Sequence, residues 1–78
     1  MTKNEILEIV LDKIEYLWGF SRVEPDTNLF NAGADSLDMI EMTMELEETF
    51  NIDIPDDALE TLEATPNSIT EYLYERFR

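Results

Sequence analysis

The chain has 78 residues, enough for one small domain but not for a cleft between two lobes. It holds neither Cys nor His, which removes disulfide frameworks, Cys/His zinc sites, cysteine nucleophiles and every mechanism that uses an imidazole base. Nineteen acidic against five basic residues leave a formal net charge of −14, which disfavours nucleic acid and anionic lipid as partners and favours basic protein surfaces, while 44% hydrophobic residues supply the means to fold.

Thr2 followed by Glu5 is a capping box, and Ile6, Leu7, Val10, Leu11, Ile14, Leu17 and Trp18 recur behind it at helical spacing. These predict a first amphipathic helix over residues 3–17, ended by Gly19 in a left-handed conformation. The stretch GFSRVEPDTNLFNAGA is longer than a usual helix connection, so it is expected to cross the end of a bundle with Leu29 and Phe30 pinned to the core. Asp35 and Asp38 offer a second N-terminal cap for a helix over 36–50, with Asn51 as its stop. Ile52 and Ile54 flank a short link, Pro55 starts a weak third helix over 56–62, and Thr65–Pro66 opens a last helix with Ile69, Tyr72, Leu73 and Phe77 as its apolar stripe. Arg76 and Arg78 in its final turn complement the helix dipole. The expected fold is all-α: a small four-helix bundle, three main helices plus a short third one, with a long loop between the first two, forming a single domain over residues 1–78.

No apolar run approaches the roughly 20 residues needed to span a bilayer. MTKNEILEIV has no long apolar stretch behind a basic cluster, so a soluble chain of the cytoplasm or an organellar matrix, without membrane insertion, is expected. A monomer is expected. No basic residue lies between Arg22 and Arg76, so the middle of the chain is purely anionic.

On a helical wheel, residues 36–50 carry two apolar groups. Met39, Met42, Leu46 and Phe50, with Thr43 between them and Ile40 at the edge, are expected to face the core. Leu37 and Met44 lie opposite, among Asp38, Glu41, Glu45 and Glu48, which is the anatomy of a docking surface for a basic partner. Single exposed apolar residues are also common without a role, so the pair alone does not decide. Ser36 stands at the start of the same helix, behind Gly33 and Ala34, where first-turn N–H groups and the dipole favour a phosphate on its oxygen. As a nucleophile of its own it lacks a suitable base and an oxyanion-stabilising cation, so no catalytic residue and no enzyme activity is expected, and a serine modified by another enzyme fits better. An ordinary helix-start serine is the plain alternative. The acids around NIDIPDD suggest calcium, but they lack the 12-residue ligand spacing and central Gly of an EF-hand loop, so no metal site is expected.

GADSLD at Gly33–Asp38, the helix ending MELEETF and the NIDIPDD that follows closely resemble acyl carrier proteins, in which the serine of a DSL motif carries 4′-phosphopantetheine. The resemblance is densest from Leu29 to Asp57, and helix order and length extend it to the whole chain. It implies a phosphodiester-linked arm on Ser36 that ends in a thiol and bears acyl groups as thioesters, with Asp35 and Leu37 in the attachment signature. It implies docking through Leu37, Asp38, Glu41, Met44, Glu47 and Glu48 to a phosphopantetheinyl transferase and to acyl-loading and acyl-transfer enzymes of fatty-acid, polyketide or related lipid biosynthesis. It also implies that short cargo folds back between the helices.

Two departures leave the cargo open. Asn31-Ala32-Gly33 precedes the motif where fatty-acid carriers often have an acidic residue and a leucine, and LEATPNSITEYL looks more like the last helix of D-alanyl and peptidyl carriers. An aminoacyl, D-alanyl or peptidyl carrier is therefore an alternative, as is an unmodified acidic helical interaction module using Leu37 and Met44.

Overall fold

A computed structural model of the chain describes residues 1–19 and 23–76. Its architecture is all-helical: three long helices, α1 (Lys3–Trp18), α2 (Ser36–Phe50) and α4 (Pro66–Arg76), with the six-residue α3 (Asp56–Thr61) before the last. Both α2 and α4 pack on α1.

Helix α1 begins where its sequence provides partners for the orphan N–H groups of a first turn. The Glu5 N–H donates to Thr2 Oγ1 at 3.2 Å and the Thr2 N–H to Glu5 Oε1 at 2.8 Å, closing the capping box. That backbone donation from Thr2 holds the Glu5 carboxyl below its ordinary range. The helix ends at Gly19, whose φ of 66° is costly for any residue with a Cβ and whose N–H donates to the Glu15 carbonyl at 2.9 Å. Ile6, Val10, Leu11 and Ile14, at spacings of three and four, form its buried face, with Leu17 and Trp18 half-buried beyond them.

The core gathers Ile6, Val10 and Ile14 with Leu29, Met39, Met42, Leu46, Phe50, Ile54, Ile69 and Leu73. Full burial of each large apolar side chain stabilises the fold by about 1.5–3 kcal/mol. Few cations serve many acids, and two of them tie helices together. Lys13 Nζ meets Glu45 Oε1 at 3.1 Å between α1 and α2, and Lys3 pairs with Glu71 between α1 and α4 while lying over the Tyr74 ring. The hydrogen bond to Glu71 holds the Lys3 ammonium above its ordinary range. Arg76 stacks on Tyr72 one turn earlier, and Arg78, like Phe77, lies outside the described residues.

The long connection is fastened to the far end of the chain. Leu29 donates its N–H to the Ala64 carbonyl at 2.8 Å, and Asn67 donates its N–H to the Pro25 carbonyl at 2.9 Å and its side-chain amide to Asp26 at 2.6 Å. Successive turns over residues 28–34 then wrap around the fully buried Leu29. Phe30, expected in the core beside Leu29, is instead half exposed at 50%, because a turn that aims Leu29 inward sends the next side chain out. Thr65 caps α4 by accepting the Ser68 N–H at 3.1 Å, and Pro66 is buried at its first position.

Candidate functional site

The beginning of α2 is fixed by a second capping box. Asp38 N–H donates to Asp35 Oδ1 at 2.9 Å, and Asp35 N–H to Asp38 Oδ2 at 3.0 Å. The chain reaches it through Gly33, whose φ of 115° suits only a residue without Cβ, and through Ala34, which is buried and donates to the Leu29 carbonyl at 3.0 Å. Ser36 is thus the first residue of a helix that another side chain caps. Its hydroxyl takes no part in the capping bonds and is exposed. The N–H groups of Ser36 and Leu37 precede the first intrahelical bond, which runs from Met39 to the Asp35 carbonyl, so they add to the positive end of the helix dipole there.

Helix α2 has a wet side as well as a buried one. Met39, Met42, Thr43, Leu46 and Phe50 point inward, and the Thr43 hydroxyl donates back to the Met39 carbonyl at 2.9 Å. Leu37 and Met44 stand 70% and 61% exposed, as the wheel predicts. Ile40 joins them at 46%, where the edge of the core was expected. It sits about 100° from the centre of the buried stripe at 3.6 residues per turn, nearer to Met44 and Leu37 than to Met39. The wheel held that signal, and it makes the outer strip three apolar residues wide.

The carboxylates of α2 divide into two groups. Asp38 is half-buried in the capping box, Glu45 is half-buried against Lys13, and Glu47 is half-buried with Oε2 accepting the Ile54 N–H at 2.9 Å. Glu41 and Glu48 are exposed on the same side as Leu37 and Met44. The structure therefore brings Ser36, Leu37, Ile40, Glu41, Met44 and Glu48 to one surface, and sets Asp35, Asp38 and Glu47 at its borders with intramolecular work. Near the end of α2 this surface passes into a shallow groove lined by Met44, Glu47, Glu48, Asn51, Ile52 and Asp53.

The chain has no histidine, and Lys3 and Lys13 are paired to carboxylates away from Ser36. What it offers is an exposed hydroxyl at a helix start, beside an apolar strip with acidic neighbours. No helix among the described residues is long and apolar enough to cross a membrane.

The sequence is similar to those of known proteins. The profile of the phosphopantetheine attachment site family matches residues 4–73. The chain is 48% identical over 65 residues to an acyl carrier protein of Guillardia theta, covering 80% of each chain. It is 37% identical over 76 residues to an acyl carrier protein of Lactobacillus johnsonii, covering 94% of each, and 37% identical over 74 residues to one of Amoebophilus asiaticus, covering 94% of this chain and 89% of the relative.

Proposed function

The chain belongs to the phosphopantetheine-attachment family that includes the acyl carrier proteins, and from that premise we propose that Ser36 is the residue bearing the arm and that the outer side of α2 presents it to partner enzymes. A protein of this family is a carrier, not an enzyme, and its cofactor is covalently attached 4′-phosphopantetheine. That group supplies a terminal thiol, the function missing from a chain without Cys, on which an acyl group is held as a thioester.

The observation that carries the assignment is the exposed Ser36 hydroxyl at the first position of a helix already capped by Asp35. The residues fit the group: the hydroxyl is accessible to a transferase, the adjacent first-turn N–H groups favour a phosphate, and no capping bond is lost on modification. Asp35 and Asp38 hold the helix start in place, so Ser36 is presented from a rigid element. Leu37, Ile40 and Met44 supply the apolar contact of docking, and Glu41 and Glu48 attract basic side chains around it. Asp38 and Glu47 contribute charge at the edges of the same face.

The partners in this reading are a phosphopantetheinyl transferase and acyl-loading and acyl-transfer enzymes of fatty-acid, polyketide or related lipid biosynthesis, each with a basic docking surface. The acyl carrier relatives favour acyl over aminoacyl cargo. We read the chain as a monomeric, cytoplasmic carrier, its residues 1–78 forming a single domain in which the three long helices and α3 make up the four-helix carrier bundle.

Incubation with coenzyme A, Mg²⁺ and a phosphopantetheinyl transferase tests the assignment. The intact mass of the wild type rises by one phosphopantetheine, and that of Ser36→Ala stays unchanged. Modification that survives Ser36→Ala, or no modification of the wild type by several unrelated transferases, would refute it.

A further inference from the structure

Three amides of the turn between α2 and α3 converge on one residue. The Glu47 carbonyl accepts the N–H groups of Asn51, which takes the left-handed conformation at φ 56°, and of Ile52 at 3.2 Å. The Glu47 carboxylate then accepts the Ile54 N–H at 2.9 Å, seven residues on. Ile54 is buried at 8% exposure, and the residue after it, Pro55, has no N–H to offer. Helix α3 starts immediately afterwards without a side-chain cap and is six residues long, too short to hold itself together in water. Its entry therefore depends on Ile54 staying seated and on the carboxylate that holds the Ile54 amide.

That same carboxylate lines the groove at the end of α2. A long cationic side chain entering the groove finds Met44 and Ile52 for its aliphatic stem and Glu47, Glu48 and Asp53 for its head. A guanidinium engages both oxygens of a carboxylate, in competition with a single backbone donor.

We propose that Glu47 is a latch: an arginine or lysine of a docked partner takes its carboxylate away from the Ile54 N–H, so that docking on α2 releases Ile54 and loosens α3 from the core. This rests on the docking reading above. In the free protein the latch stays shut, because an Ile54 amide without an acceptor is costly. The released amide turns to water, and Ile54 leaves its place in the core with it.

Amide hydrogen exchange followed by NMR tests the latch. In free Glu47→Ala, exchange at Ile54 accelerates on the order of ten- to a hundredfold, the loss of a hydrogen bond to a charged acceptor. Ile52, held by the backbone carbonyl of residue 47, keeps its rate, and Leu46 stays protected, showing that the variant is folded. Glu47→Gln, which retains a neutral acceptor, exchanges at an intermediate rate. In the wild type, a saturating phosphopantetheinyl transferase without coenzyme A raises Ile54 exchange toward the Glu47→Ala value. An unchanged Ile54 rate in Glu47→Ala overturns the latch. So does an unchanged rate in the complex while the Glu41 and Met44 resonances shift, in which case docking stands and the latch alone fails. A transferase that loads Ser36 yet shifts neither resonance removes the docking face, and the latch with it.

Discussion

On its inner side α2 buries Met39, Met42, Leu46 and Phe50, whereas on its outer side Leu37, Ile40 and Met44, of similar size and polarity, stand in water. The acids of the helix divide in the same manner. Asp38, Glu45 and Glu47 are engaged by the fold, and Glu41 and Glu48 are exposed. Residue type therefore does not distinguish a structural from an interactive side chain on a helix this acidic. Engagement elsewhere in the molecule does.

The two sides of α2 should differ most at their apolar residues. Leu46→Ala removes a side chain that is 1% exposed and should cost about 2–5 kcal/mol. Met44→Ala, at 61% exposed, should leave stability within about 0.5 kcal/mol and instead weaken transferase binding. Denaturant unfolding of both variants decides: equal losses would mean that the two sides of α2 are not different in kind.

A smaller effect is expected from charge. Glu41→Lys and Glu48→Lys should each slow loading by the transferase several-fold at low salt, with a difference from wild type that shrinks as ionic strength screens the attraction. Both variants should melt close to the wild type. Normal loading rates at low salt would remove the acidic residues from the docking face.

The smallest effect lies far from this face, at the start of α1, and serves as its control. The Glu5 carboxyl is held below its ordinary range by the Thr2 backbone N–H, so its charged form is favoured by the folded state. The resulting stabilisation is present above the carboxyl's unfolded pKa and is lost as pH falls through the lowered folded value. Glu5→Gln should flatten this part of the acid melting curve while leaving loading of Ser36 at the wild-type rate. An acid melting curve identical to wild type would show that the capping box carries no such linkage.

Local chemistry was readable in the residues, and long-range commitments were not. Thr2 with Glu5, Asp35 with Asp38, Gly19, Asn51 and Thr65–Pro66 are signals whose partners lie within four residues, and each bounds a helix where its chemistry places it. The inward stripe of α2 follows from periodicity alone. Ile40, at 46% exposure, follows from the same wheel once its angle is measured from the centre of the stripe, whereas Phe30 did not follow from periodicity: it borders the buried Leu29, and the turns over residues 28–34 decide which neighbour points inward. Nor does a wheel reveal that Glu45 meets Lys13 across two helices, or that Glu47 reaches the amide of Ile54. The motif around Ser36 was legible because its elements are contiguous, whereas the division of the surrounding carboxylates depends on the folded chain.

Whether Ser36 bears the arm from which cargo hangs is read out by intact mass spectrometry of the protein from its native cell, with peptide mapping and hydroxylamine treatment. If Ser36 is the attachment residue, the peptide containing it gains the mass of one phosphopantetheine, with any further acyl mass released by hydroxylamine while the arm remains. A bare polypeptide mass in cells with an active transferase, or an arm mapped to another residue, would contradict that assignment.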